Sequence, residues 1–350
     1  MSGGDDERAG VSFTHLDQEL FDGSGATKRN LIDYLDAVSA RMLRCLDDRP
    51  LSVIRIRPGQ PAFMQKNLPK YTPDWVPRAP IWAEASRREV SYALCNNRRT
   101  LLWFANQRAV EYHVTLFTMS NPGHPDHLVL DLDPPEGSAF STVVQAAHLI
   151  HQALTDAGMA GAVKTSGAKG LHVFVPLAAG SSPEDVAAAT RAVAARAERI
   201  DPDLATTAFV KDERAGKVFL DSTRAGGATV VAAYSPRIRP GVPVSFPIAW
   251  EDLDRVAPGD FTVHNAAGLL DGGDPWADQM PPAQELDADL GRGGSHHPGC
   301  PSSGHARRQT PRPLPAGFGA LMPLSLSQSV SPDFDWLNHV TPERFKACRD

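Results

Sequence analysis

Leu31, Ile32, Leu35, Val38 and Met42 recur at helical spacing within ATKRNLIDYLDAVSARML and predict an amphipathic helix over 26–43, with Thr27 near its start. The rhythm then changes. Residues 51–57 alternate as a short strand, Pro58-Gly59 turns the chain, and PAFMQKNLPKYTPDW interleaves aromatic with basic side chains. From 90 to 105 and from 110 to 117 the pattern reads strand, helical turn, strand, and leads through SNPGHPDH into LVLDLDPPEG. Residues 141–157 and the alanine-rich 183–200, with Ser182 as its cap, read as helices. Short strands are predicted over 162–164, 171–177, 217–221 and 229–233, followed by an apolar, proline-containing stretch to Trp250. Strands and helices mix without the strict alternation of a doubly wound sheet, which makes the class α+β.

The pattern fades at both ends. Residues 1–11 are polar and are expected to be disordered. Between Gly291 and Ser325, Gly and Pro supply 13 of 35 residues, so 291–350 is read as a mostly disordered tail and 12–290 as the folded domain. A chain of 350 residues at 42% hydrophobic has material for one large domain or two small ones. It has no apolar run of membrane-spanning length, and MSGGDDERAG lacks the basic-then-apolar form of a secretory signal. A cytoplasmic chain without a membrane partner is expected. Cys45, Cys95, Cys300 and Cys348 are too few and too scattered for a disulfide framework. His296, His297, Cys300 and His305 lie in the Gly/Pro-rich tail, a setting that argues against a metal site there. With a net charge of -6, any nucleic-acid contact must come from a local basic patch.

Read as a strand, LVLDLD sends Leu128, Leu130 and Leu132 to one face and Val129, Asp131 and Asp133 to the other. Two carboxylates so close repel unless a cation lies between them or one is protonated, which suits a divalent metal with oxygen ligands. The plainer reading is a strand-ending turn with a solvated acid. KVFLD ends a second short strand in Asp221, and three acids at strand ends can hold the two metals used for phosphoryl transfer. Between them, TSGAKGLHVFVPL offers Ser166, Gly167, Lys169 and Gly170 to an anion such as a triphosphate, and His172 on the strand that follows. The segment is not a Walker A loop. Taken singly, Lys169 reads as a solvated loop lysine and His172 as a structural histidine.

Together DLDPP, SGAKGLH, KVFLD and AAYSPR resemble, in order, the motifs of the polymerase domain of bacterial DNA ligase D, within the archaeo-eukaryotic primase superfamily. The resemblance covers about residues 12–290. It implies two interlocked sheet-and-helix lobes around a catalytic cleft. It also implies a primase-polymerase that extends primers, fills gaps and handles broken ends in non-homologous end joining, using Mn²⁺ or Mg²⁺ and NTP or dNTP. Asp131, Asp133 and Asp221 match the catalytic, metal-binding acids; Ser166, Lys169 and His172 match the nucleotide-binding motif, with Ser166 near the sugar. Arg214 and Arg237 fall where the family places cations near the triphosphate, and His113 matches a histidine near the active site. PAFMQKNLPK resembles the family's Phe-(Phe/Tyr)-Gln-Lys stretch, making Phe63 the base-stacking platform, with Met64 in place of the second aromatic. Lys28, Arg55, Arg57, Gln65 and Lys66 are the corresponding DNA contacts.

The chain departs from the family where His15 and Gln18 replace an Asn and a Lys that help bind a 5′-phosphate. After Asp221, STRAGG replaces the Trp-Ser-Gln-Asn of ligase-fused domains, which suggests a stand-alone relative. No Lys-x-Asp-Gly ligase motif occurs, so the expected partners are primer-template DNA, a separate ATP-dependent ligase and an end-binding protein of the Ku type, with the chain on the nucleoid when bound to DNA. Two competing readings are a non-catalytic end-binding factor that recruits a ligase and a metal-dependent phosphohydrolase.

Overall fold

The computed structural model describes residues 6–83, 87–270 and 272–286; the expectations for the first five residues and for the tail lie outside them. Residues 6–11, expected to be disordered, instead enter a small hairpin of β1 (Glu7–Arg8) and β2 (Val11–Ser12). Two features hold it down. Val11 and Phe13 are buried, and the Arg8 guanidinium reaches Asp33 at 2.6 Å and Asp36 at 3.2 Å. These partners lie more than twenty residues away, beyond the reach of local pattern reading.

Thr27 caps the first helix: its hydroxyl accepts the Asn30 N–H at 3.3 Å while the Asn30 carboxamide accepts the Thr27 N–H at 2.9 Å. The single helix predicted over 26–43 is divided at Val38 (φ -92°, ψ 1°) into α1 (Lys28–Ala37) and α2 (Ser39–Leu46). The apolar stripe survives the break, because Leu31, Ile32, Leu35, Val38 and Met42 are all buried in one core. Next come β3 (Pro50–Arg57), β4 (Gln60–Gln65), β5 (Arg78–Ala83), β6 (Arg88–Leu94), α3 (Arg98–Asn106) and β7 (Ala109–Val114). β5 was not predicted; Pro80 lowers its strand signal, and the strand lies at a sheet edge, where proline is tolerated.

The second half of the chain lays down β8 (His127–Asp133), α4 (Phe140–Thr155), β9 (Ala162–Thr165), β10 (Leu171–Pro176) and α5 (Pro183–Ile200). Ser182 caps α5 as predicted, accepting the Asp185 N–H at 3.1 Å, with Pro183 at the first turn. β11 (Ala205–Thr206) and β12 (Val218–Asp221) follow, then β13 (Val230–Val231), β14 (Pro247–Ile248) and α6 (Pro275–Gln279). Two six-stranded sheets result. The first has the order β13-β7-β3-β6-β5, with β4 also paired to β3; the second has the order β11-β12-β8-β10-β9-β14. The chain crosses to the first sheet for β13 and returns for β14, so the two halves are interlocked.

Leu128, Leu130 and Leu132 are buried on the helix-covered face of β8, against which α4 and α5 pack. On the opposite face Val129 joins Phe174, Leu116 and Val230 in a small apolar cluster. Leu116 follows β7 and Val230 lies in β13, so the face that carries Asp131 and Asp133 looks toward the first sheet.

Candidate active site

Strand register brings the sequence-distant groups together. Pairing sets Lys164 of β9 opposite His172 of β10, His172 opposite Asp131 of β8, and Asp131 opposite Asp221 of β12. In antiparallel pairs directly opposed residues share a face, so these four side chains form one row across four strands. The Lys164 ammonium, fully buried, donates to Ser245 Oγ at 2.7 Å and lies 2.8 Å from His172 Nδ1. His172 Nε2 is 3.1 Å from Asp131 Oδ1. A single nitrogen of Arg224 then bridges two of the acids, 2.7 Å from Asp131 Oδ2 and 2.9 Å from Asp221 Oδ2.

This charge pattern separates the acids. Burial works to raise Asp131, but His172, Arg224 and Lys164 hold its carboxyl well below the usual range. Burial, followed by the charge of Asp131, pushes Asp133 up. Burial also pulls the Lys164 ammonium down to about 7 and the His172 imidazole down to about 4. His172 is therefore neutral near pH 7, with its Nε2 against Asp131. Among the described residues no three His, Cys, Asp or Glu side chains are placed to ligate one ion. Asp131 and Asp221 nevertheless converge on one cationic nitrogen, and an all-oxygen donor set of this kind fits a hard divalent ion.

The loop between β9 and β10 is folded around Ser166. Its Oγ accepts the N–H groups of Ala168 at 3.2 Å and Gly170 at 3.1 Å, and its own N–H donates to the Gly170 carbonyl at 2.9 Å. Both glycines are required by the chain's own packing. Gly167 has φ +70°, and a Cβ there would lie 2.6 Å from Arg237 Cγ; one on Gly170 would run into the Leu132 carbonyl oxygen. Gly170→Ala is therefore expected to lower unfolding free energy by about 1–3 kcal/mol, read by urea denaturation. A variant as stable as the wild type would mean that β8 and the loop can separate freely. Lys169 is exposed and, with Pro134, Pro135 and Phe140, lines a pocket of about 250 Å³ beside the acid-bearing strand end.

Glu111 of β7 approaches this loop from the other sheet. Its Oε2 lies 3.0 Å from His113 Nε2 and 3.0 Å from Arg237 Nε, and its Oε1 accepts the Ile238 N–H at 2.9 Å. The Arg237 contact is an ion pair, since its Nε–H makes no hydrogen bond; Arg237 also donates through Nη1 to the Ser166 carbonyl. Burial would raise Glu111, but Arg237 and His113 hold its carboxyl down at about 2.

Other sequence candidates are placed elsewhere. Arg214 binds the carbonyls of Ala208 and Phe209 and lies 3.7 Å over the Phe219 ring, so the cation beside the acids is Arg224. Lys28 is only 3% exposed; its Nζ donates to Thr14 O and Asn106 Oδ1, both at 2.6 Å, and burial pulls it down to about 8. Gln18 accepts from Arg108 at 2.7 Å, while His15 turns the chain at φ +56°. Phe63 is half-buried on β4, with Arg57 4.7 Å and Arg55 5.7 Å from its ring. Arg55 also donates to Gln65 Oε1 at 2.7 Å and the Tyr71 hydroxyl at 3.0 Å, which makes it a strut within this face, and Lys66 is half-buried next to Gln65.

Comparison with known families matches residues 27–276 to LigD, primase-polymerase domain. The chain belongs to this family. A Mycobacterium tuberculosis relative, the multifunctional non-homologous end joining DNA repair protein LigD, is 34% identical over 255 residues, covering 70% of this chain and 33% of that protein. The bifunctional non-homologous end joining protein LigD of Bacillus subtilis is 33% identical over 258 residues, covering 72% of this chain and 41% of that protein. The chain thus spans a third to two fifths of these curated relatives. The solved polymerase domain of Mycobacterium tuberculosis ligase D in complex with DNA superposes with a TM-score of 0.71 at 32% identity, covering 77% of this chain and 97% of that one. The fold is that of the archaeo-eukaryotic primases.

Lys164, Arg224 and Glu111 escaped the sequence reading. Lys164 precedes Thr165-Ser166 in a predicted strand, and its inward alternation was a usable signal. Arg224 and Glu111 carry none, because each acts through partners set by register or loop path.

Proposed function

We propose that the chain is a metal-dependent nucleotidyltransferase that extends primer ends and fills gaps at DNA breaks, as in non-homologous end joining. The convergence of Asp131 and Asp221 on one cation, beside Asp133 and the Ser166–Gly170 loop, carries this reading. Asp131, Asp133 and Asp221 hold Mn²⁺ or Mg²⁺. When bound, the ions lower the charge on the phosphates and favour ionisation of the attacking primer hydroxyl. The protein's own work is alignment: Arg237, Lys169 and Ser166 hold the nucleotide, and Phe63 offers a stacking face. Arg57 and Lys66 follow the DNA backbone, and Arg55 braces them. The end-joining names of the relatives support DNA ends as substrate; from there we propose a ligase and a Ku-type protein as partners and a cytoplasmic, nucleoid-associated chain. Among the described residues no helix is long and apolar enough to cross a membrane.

The test is extension of a labelled primer on gapped and overhanging duplexes, with Mn²⁺ or Mg²⁺ and ribo- or deoxynucleotides. Wild-type extension that disappears in Asp131→Ala/Asp133→Ala is the expected result. Equal extension by both proteins would reject these acids as the reaction centre.

A further inference from the structure

We infer that Glu111 is a positioning residue for nucleotide binding, acting through Arg237 to hold the Ser166–Gly170 loop in its binding shape; this rests on the nucleotidyltransferase reading above. Glu111 stands on β7 of the first sheet, 6% exposed, whereas the loop joins β9 and β10 of the second. Arg237 spans the gap. Its Nε lies 3.0 Å from Glu111 Oε2, its Nη1 donates to the Ser166 carbonyl, and its Cγ lies against the side of Gly167 that has no Cβ. The other end of the carboxylate is fixed by the Ile238 N–H at 2.9 Å, one residue beyond Arg237 itself. Glu111 therefore grips both the backbone and the guanidinium of one short segment. Its third contact, from Oε2 to His113 Nε2 at 3.0 Å, orients a further candidate nucleotide contact.

A half-buried arginine stripped of its carboxylate keeps its charge but loses its direction. Glu111→Gln preserves volume and can still accept the Ile238 N–H, but it removes the charge that Arg237 and His113 share. The expected outcome is a rise of about tenfold in KM for the nucleotide with kcat within about threefold of wild type. In a double-mutant cycle, Glu111→Gln is expected to add almost nothing to Arg237→Ala, because both break one link. Arg237→Lys keeps a charge without the Nε contact and is expected to reproduce the KM rise, which reads the link even where Glu111→Gln folds poorly. Additive losses in the cycle, a fall in kcat at unchanged KM, or a wild-type KM in Arg237→Lys would each overturn the assignment.

Titration of a fluorescent ATP analogue against each protein, without DNA, separates this inference from the polymerase reading. If wild type binds the analogue but extends no primer, the polymerase reading fails, and a tenfold weaker Kd in Glu111→Gln still supports the Glu111 link. Equal Kd values in the two proteins reject the link whatever the extension assay gives.

Discussion

Replacing Arg224 by alanine is expected to cost the metal-free protein about 3–5 kcal/mol and to make its stability depend on divalent cation. One nitrogen of Arg224 lies within hydrogen-bond reach of both Asp131 and Asp221, and its side chain is 15% exposed. Without it, buried acids face one another with the Lys164 charge, the His172 contact and the Thr223 N–H and hydroxyl on Asp221 as the remaining compensation. Arg224 is itself imperfectly accommodated, for its Nε is buried without a hydrogen-bond partner. A cation that takes the same carboxylate oxygens therefore competes with a guanidinium that is not fully satisfied. Urea denaturation of Arg224→Ala should show the loss without metal and its recovery under saturating Mn²⁺. Electron paramagnetic resonance titration should give Mn²⁺ binding about tenfold tighter than in wild type. Unchanged stability together with unchanged Mn²⁺ affinity would mean that Arg224 is a bystander.

Asp131→Asn is expected to reduce single-turnover nucleotide incorporation by about a thousandfold while leaving the protein folded. The amide oxygen can still face His172 Nε2, and although the amide nitrogen replaces the oxygen that meets Arg224, the guanidinium keeps its contact with Asp221, so the row across β9, β10, β8 and β12 stays together. The negative charge that draws a cation is lost. Removing that charge also relieves Asp133, whose carboxyl is pushed up by burial and by Asp131, so the thermal midpoint should stay within a few degrees of wild type. Rapid-quench incorporation with excess enzyme measures the chemical step directly. A rate within tenfold of wild type would remove Asp131 from the reaction centre.

The strands that carry the acids were legible because alternation in LVLDLD and the apolar run of KVFLD are local signals. The face shared by Asp131 and Asp133 followed from strand period alone. The contact of Asp221 with that face came from pairing β12 with β8, a long-range choice that no window of sequence contains. The same limit hid the break at Val38, where hydrophobic spacing continues across a change of backbone direction. It also hid the hairpin of residues 7–12, tied down by Arg8 to acids on α1. The glycines of SGAKG were recognised as sites of close approach, but what approaches them in this structure is Arg237 and the Leu132 carbonyl. Lys28 and Arg55 were expected to contact DNA on the resemblance alone; their engagement with Asn106 and with Gln65, Gln107 and Tyr71 depends on tertiary packing.

The most direct measurement follows extended primer and released pyrophosphate together, in one reaction, on a gapped duplex with nucleotide and Mn²⁺. One pyrophosphate per nucleotide added, with both products absent in Asp131→Ala/Asp133→Ala, is the expected result. Phosphate release without primer extension would identify a phosphohydrolase, and DNA binding with neither product would identify a recruitment factor; either contradicts nucleotidyl transfer at these acids.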